Sequence, residues 1–355
     1  MTDRLQADGR KQVAFVVTSS VLGGHEFQTA ELVKLAQAYC AVTVFVNKPE
    51  HAPLFEASGS DVVIADGLFH RPGKLHAQIA RGLRCMKTYR RLFRDFDRVV
   101  VCAGAVEAAV PVGLGLLSTG KADLYLPFIY DRTVLWGYWG KAYTCLLRLL
   151  TKLFTNLITV NRIQARLISG SHKGKVRFIR NKIATLRPLE DRAEPRRLVT
   201  IGRLDSQKRI VELIQDVDYP ANPFAELLVI GDGPLRARVE EAARHARFIK
   251  VTVLGWLDAD QQSRLLSRGD ILVLHSVIEG EPMVIREANA RGMVVIARDI
   301  PGVRGVTWKA NRYKSVAELR DRLKQAHEGK LRVFPAEDVD RLNLRRENAA
   351  RKLFA

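Results

Sequence analysis

The chain has 355 residues, 47% of them hydrophobic, which leaves room for two globular domains and sets it apart from disordered or fibrous chains. Its formal net charge of +19 points to a polyanionic surface or ligand: an anionic membrane, a nucleic acid or phosphorylated substrates. Charge alone does not choose among these.

The first twelve residues are polar and the apolar run at 13–17 is too short for a signal core, so no signal peptide is expected. Strand-like runs follow at 42–46, 98–102, 124–130, 157–160 and 176–179, with helix-like segments between them that include 26–38 and 74–93. That alternation predicts βαβ units and a parallel sheet. Between the first strand and the first helix lies Leu22-Gly23-Gly24-His25-Glu26-Phe27. Gly23 and Gly24 let backbone approach a phosphate or an acceptor, and His25 either faces a ligand or is a solvated loop residue. The G-x-G-x-x-G of a dinucleotide fold is missing, which argues against a dehydrogenase. At the end of the 124–130 strand, Tyr130-Asp131 offers a carboxylate that could orient or deprotonate a hydroxyl, or equally cap a helix. The four cysteines, Cys40, Cys85, Cys102 and Cys145, show no metal-like spacing and predict buried thiols in a reduced, cytoplasmic protein. Residues 143–160 come nearest to a membrane span, but Arg148 and Lys152 interrupt them.

A polar stretch at 187–197 reads as a linker. Beyond it the theme repeats, with strands at 198–201, 227–230, 251–254, 271–274 and 293–296 and helices near 209–215, 235–244, 260–267 and 285–291. The expected organisation is a first Rossmann-like domain at 1–186, the linker at 187–197, a second domain at 198–330 and a helical tail at 331–355 that packs back toward the first domain. The fold class is therefore α/β, with two doubly wound domains facing across a cleft, the default ligand site.

Three motifs fall in the second domain. Ile201 to Arg209 places Arg203 and Lys208 on the loop beyond a strand, where they are either two solvated cations of a basic protein or partners for a diphosphate whose charge grows as a sugar–phosphate bond breaks. The turn Gly231-Asp232-Gly233 follows another strand, and Pro234 can open the next helix. The third motif, Glu279 to Gly292, carries Glu279-Gly280, then Pro282, then Glu287 on a helix. A helix start offers unpaired N–H groups to phosphate, and carboxylates accept hydroxyls. Together these residues describe a pocket for a ligand that is part phosphate and part sugar.

The run E-G-E-P-M-V-I-R-E-A-N-A-R-G resembles the signature of retaining GT-B glycosyltransferases of glycosyltransferase family 4. The resemblance implies that Glu279 touches the donor sugar, that Glu287 holds the ribose hydroxyls, and that the N–H groups of Met283 and Val284 meet phosphate or sugar. It likewise implies a phosphate role for Arg203 and Lys208, and a lining role near the base for Gly231, Asp232 and Gly233, with the Leu254-Gly255-Trp256 stretch bordering the base. Gly23 and Gly24 match the Gly-Gly loop of the family. Three departures stand out. Tyr130-Asp131 replaces a histidine–acid pair, Asn181-Lys182-Ile183-Ala184 replaces Asn-Gly-Val-Asp, and Pro301-Gly302-Val303-Arg304-Gly305 lacks a later acid. The resemblance spans roughly residues 13–305 and is strongest in the second domain.

The reading that follows is a retaining transferase moving a sugar from a nucleotide-diphosphate sugar to a glycan or lipid-linked acceptor, in polysaccharide or lipopolysaccharide biosynthesis, without cofactor or metal. Alternatives are a nucleotide-sugar epimerase or hydrolase of the same fold, or a non-catalytic basic protein on membrane or nucleic acid. Arg84, Lys87, Arg91, Arg94 and Arg98 are spaced as one helical stripe, with Leu75, Ile79, Leu83, Met86 and Phe93 as the inward face. With the aromatics from Trp136 to Tyr143, the stripe suits peripheral docking on an anionic membrane. The competing reading is a solvated basic helix beside a buried aromatic cluster. No aromatic interleaves with the stripe, as stacking on nucleic acid would need.

Overall fold

A computed structural model of the chain describes residues 9–19, 24–69, 71, 73–127, 133–160, 175–182, 189–190, 196–335 and 339–355. The chain divides into two compact units, residues 1–182 with 343–355, and residues 183–342.

The first unit holds strands β1 Gln12–Val17, β2 Ala41–Val46, β3 Asp61–Ile64, β4 Arg98–Cys102, β5 Ala122–Tyr125, β6 Asn156–Thr159 and β7 Lys175–Phe178. They form one parallel sheet in the order β3-β2-β1-β4-β5-β6-β7. Val13 through Val17 are all buried, as a central strand covered on both faces requires. Its helices include α1 Gly24–Ala36, α2 Ala52–Glu56, α3 Leu75–Arg84, α4 Met86–Leu92, α5 Val106–Leu116 and α6 Thr133–Leu150.

The predicted helix at 74–93 is two helices, broken at Cys85, whose φ and ψ are −91° and 4°. Arg94 lies in the turn after α4, and Arg98 opens β4, so the five cations do not share one helical stripe. The inward face also differs: Gln78, Gly82, Tyr89 and Phe93 are buried, whereas Leu83 is exposed. Close helix approach explains this. A Cβ at Gly82 would lie 3.0 Å from the Pro111 backbone, and one at Gly115 would lie 2.3 Å from the Tyr89 ring. Absent side chains let α3 and α4 sit against α5, which hydropathy patterning cannot register. Nor are all thiols buried: Cys40 and Cys102 are, but Cys145 is exposed on the outer face of α6.

The tail contributes the helix Val339–Phe354. Within the first unit, Phe354 packs on Phe15 with ring centroids 5.8 Å apart, and the backbone carbonyl of Leu353 accepts from Arg98 Nη1. Arg346, almost fully buried, donates to the Arg180 carbonyl at 3.1 Å.

The second unit holds β8 Leu198–Ile201, β9 Glu226–Ile230, β10 Lys250–Gly255, β11 Ile271–Leu274, β12 Val294–Arg298 and β13 Arg312–Tyr313. They form a parallel sheet in the order β10-β9-β8-β11-β12-β13. The expected α/β class with two doubly wound sheets, the architecture of GT-B enzymes, is present. In the second sheet the strand order reverses between β8 and β11, so the loops leaving the carboxyl ends of those strands diverge around a crevice where ligands of such sheets bind. Those loops carry residues 202–209 and 275–282. Among the described residues no helix is long and apolar enough to cross a membrane.

Candidate functional site

The loop after β8 is shaped by two side-chain turns. Asp205 Oδ1 accepts from the backbone N–H of Gln207 at 3.0 Å and of Lys208 at 3.1 Å. Arg209 then takes a left-handed conformation, φ 54° and ψ 44°, immediately before the helix Ile210–Val217. Non-glycine residues rarely adopt that region, and the strain is typical of loops shaped around a ligand. This geometry turns Lys208 toward the neighbouring loop after β11.

There Glu279 is nearly buried, and its Oε1 accepts from Lys208 Nζ at 2.5 Å. The two loops are also joined by backbone. Val277 N–H donates to the Gln207 carbonyl at 3.0 Å, and Gln207 Nε2 donates to the Ile278 carbonyl at 2.8 Å. A third piece supports Glu279 from below: the turn Pro301–Val303 passes so close that a Cβ on Gly302 would lie 2.2 Å from the Glu279 carbonyl oxygen. Glycine is required at 302 by this approach.

The helix Met283–Ala290 begins right after this loop with Pro282 as its N-cap, and no side chain caps it. The first N–H groups of a helix, here those of Met283 and Val284, have no intrahelical acceptor and mark the positive dipole end. Arg286 Nη2 pairs with Glu281 Oε1 at 2.8 Å and ties the helix to the loop before it. One turn on, Glu287 is half-buried, and among the described residues its carboxylate accepts no hydrogen bond. Burial pushes its carboxyl above the ordinary value, and the charge of Arg291 pulls it only part of the way back. A desolvated carboxylate without donors is suited to accept ligand hydroxyls.

Gly231, Asp232 and Gly233 form the turn after β9. Gly231 has φ 143°, and a Cβ there would fall 1.9 Å from the Gly202 carbonyl oxygen, so the loops after β8 and β9 touch through bare backbone. Asp232 serves its own turn. Its Oδ1 accepts from Gly233 N–H at 2.7 Å and its Oδ2 from Arg236 Nη1 at 2.9 Å, and these bonds hold it below the usual carboxylate range. Arg203 is half-exposed, with Asp205 Oδ2 3.9 Å from its Nε, so its guanidinium is largely available. Trp256 follows Gly255 and is 68% exposed, beside β10 at the far side of the sheet from β11.

The structure thus brings Arg203, Lys208, Glu279, Gly280, Met283, Val284 and Glu287 onto the two loops and one helix at the β8/β11 reversal. Gly23, Tyr130 and Asp131 lie outside the described residues. Gly24 opens α1, and a Cβ there would meet open space. His25 stacks on Tyr125 with centroids 5.3 Å apart, and burial pulls its imidazole down to about 4. Among the described residues neither ring nitrogen of His25 has a hydrogen-bond partner. Sequence reasoning missed Asp205, Gly302 and the Glu281–Arg286 pair. The Asp-x-x-Lys spacing at 205–208 could have signalled the side-chain turn; nothing local signalled the other two.

Among the described residues no cluster of three or more His, Cys, Asp or Glu could hold a metal ion.

Residues 183–323 match the family described as Glycosyl transferases group 1. That segment contains every residue of the site in the second unit. An uncharacterized glycosyltransferase of Methanocaldococcus jannaschii is 29% identical over 128 residues, 34% of this chain and 32% of that protein. The chain therefore matches about a third of that relative's length. Three solved structures share the fold over nearly the whole chain. HepE of Anabaena in complex with UDP-glucose has a TM-score of 0.70 at 13% identity, covering 97% of this chain and 98% of that one. Sucrose-phosphate synthase of Thermosynechococcus elongatus has a TM-score of 0.70 at 17% identity, covering 97% and 99%. WaaG, described as a glycosyltransferase involved in lipopolysaccharide biosynthesis, has a TM-score of 0.60 at 13% identity, covering 96% and 95%.

Proposed function

We propose that this protein is a retaining glycosyltransferase that moves a sugar from a nucleotide-diphosphate sugar to a glycan or lipid-linked acceptor in cell-surface polysaccharide or lipopolysaccharide biosynthesis. One observation carries the reading: a buried Lys208–Glu279 pair sits beside an uncapped helix start and a carboxylate that has no donor among the described residues, all within the segment that matches the glycosyl transferases group 1 family. The donor diphosphate is met by Arg203, Lys208 and the N–H groups of Met283 and Val284. Glu287 accepts two ribose hydroxyls. Glu279, held in place by Lys208 and by the close pass of Gly302, faces the donor sugar.

In the reaction the bond between the anomeric carbon and the phosphate oxygen breaks, and the acceptor oxygen bonds to the anomeric carbon from the same face. The acceptor proton passes to the departing phosphate oxygen. Negative charge grows on the diphosphate as the bond lengthens, so fixed cations and N–H dipoles stabilise the transition state more than the ground state. A co-bound UDP-glucose in the crystal structure of HepE supports a nucleotide-sugar donor for this fold. The test follows donor consumption with and without a glycan acceptor. Product that forms only with acceptor, with retained configuration, supports the reading. Equal donor loss without acceptor would make the protein a hydrolase or epimerase.

Acceptor binding is assigned to the first unit, at the inner face of the cell membrane. α6 presents Tyr138, Trp139, Cys145, Leu146 and Leu149 outward, while Thr144 and Leu147 face the core. Lys141 lies among them, and Arg84, Lys87, Arg90, Arg91 and Arg94 are exposed on α3, α4 and the following turn, which share a packing layer with α6 through α5. Interfacial aromatics beside cations suit an anionic leaflet.

A further inference from the structure

The edge of the second sheet carries a cavity of about 520 Å3 that no step of the proposed reaction uses. Asp299, Arg304, Lys309, Arg312, Lys314, Glu318 and Arg322 form its wall. Five cations face two acids, an excess of three positive charges (5 − 2), and both acids are already engaged. Asp299 accepts from Arg304 at 3.0 and 3.3 Å and from Arg312 at 3.1 Å, and Glu318 accepts from the Lys314 backbone N–H at 2.8 Å.

Asp299 acts as a pin that holds two guanidinium groups side by side. Burial pushes its carboxyl up, and the bond from Arg304 with the charges of Arg304, Arg312 and Lys314 more than reverses this. Arg322 is braced by Asp321 at 2.7 Å and by the Arg312 carbonyl at 3.3 Å. Among the described residues the ammonium groups of Lys309 and Lys314 have no hydrogen-bond acceptor, and neither has Arg312 Nε, in a side chain only 15% exposed.

A concave wall of one sign focuses its field and concentrates counter-ions. Braced guanidinium forks match phosphate oxygens in pairs, and lysines add point charges. The volume falls among small-ligand pockets of roughly 300–1,000 Å3. We infer that this cavity is a second anion-binding site, separate from the donor loops, that takes a ligand bearing a diphosphate or two clustered phosphomonoesters. The same chemistry is offered by a soluble phosphate ester and by a phosphomonoester lipid headgroup.

Calorimetry with inorganic pyrophosphate compares the wild type, Lys309→Ala/Lys314→Ala and Arg203→Ala. Flotation with phosphatidic acid vesicles, and with phosphatidylglycerol vesicles as the phosphodiester control, addresses the lipid source. The expected soluble result is two pyrophosphate sites in the wild type, at least a tenfold loss of affinity at one of them in the double-lysine variant, and weakening of the other alone in Arg203→Ala. The expected lipid result is loss of retention on phosphatidic acid alone. Either result supports the site and names its source. If pyrophosphate affinity does not depend on the two lysines, and retention either does not depend on them or falls equally on both vesicle types, the proposal is overturned. Nucleotide-diphosphate affinity of the same double variant stays at the wild-type level, so failure here leaves the donor reading standing.

Discussion

Lys208 and Glu279 lie 71 positions apart in the chain, yet their side chains meet at 2.5 Å where the loops after β8 and β11 join. The lysine is 17% exposed and the glutamate 7%. Removing one partner of such a pair leaves a charge stranded and costs about 3–5 kcal/mol. Lys208→Met is therefore expected to lower stability by about that amount, and Lys208→Met/Glu279→Gln to recover most of it. Both variants should lose transfer by about 100- to 1,000-fold, the usual cost of removing one fixed transition-state contact. Urea unfolding and initial rates on the four corners of the cycle check this; full activity in the double variant would remove both residues from the chemistry.

Glu287 gives opposite signs for stability and binding. Its folded-state carboxyl is raised above the ordinary 4.5, chiefly by burial. A raised acid favours the folded state when protonated, so its ionisation weakens folding as pH climbs from the unfolded value through the folded one. Glu287→Gln should accordingly raise the melting temperature while reducing affinity for a nucleotide-diphosphate sugar by about 10- to 100-fold. Unchanged affinity by calorimetry would dismiss the ribose role.

Gly302 tests how finely Glu279 is held. An added Cβ would come within 2.2 Å of the Glu279 carbonyl oxygen and 2.9 Å of its Cβ. Gly302→Ala displaces the loop that carries Glu279, and we expect kcat to fall about 100-fold, since misplacement by an ångström costs that much. The KM for donor should change little, because Glu287 and the helix start are not displaced. A variant with wild-type kcat would show that the loop tolerates the shift.

His275 predicts a pH dependence of folding. It is buried at the end of β11, with Nδ1 2.7 Å from the Tyr313 hydroxyl and Nε2 3.4 Å from Asp216 Oδ2. Burial first, then the charges of Arg209 and Arg298, lower its imidazole from 6.5 to about 4, with Glu212 opposing. Below 6.5 the unfolded chain takes up a proton that the folded protein refuses, so stability falls as pH drops from 6.5 to about 4. The full loss is about 3 kcal/mol at 1.36 kcal/mol per unit. His275→Gln should flatten that slope by about one proton. An unaltered slope between pH 6.5 and 4.5 would contradict this.

The outer face of α6 predicts vesicle binding. Trp139→Ala/Tyr138→Ala should reduce flotation with phosphatidylglycerol vesicles about tenfold, and Arg90→Glu/Arg91→Glu by more, at about 1 kcal/mol per cation near the surface. Neither pair should affect donor affinity. Recovery in the soluble fraction regardless of anionic lipid would refute peripheral docking.

Local features were legible in the residues alone. The apolar runs at 98–102, 198–201 and 271–274 became strands with the same bounds, because a strand buried on both faces needs an unbroken apolar run wherever it lies. The turn glycines at 231 and 233, the cations at 203 and 208 and the helix entry near 283 were equally visible, since each depends on its immediate neighbours. The tertiary structure alone decided the rest. Cys85 breaks a helix that patterning ran through, and Gly82 and Gly115 admit a closer helix contact than any apolar stripe signals. Gly302 lies against Glu279, and Lys208 reaches it, only because the sheet sets β8 beside β11 and brings the strap after β12 beneath them. Periodicity and turn chemistry act over a few residues. Pairing across 71 positions is set by strand order, which the packing of the whole sheet selects.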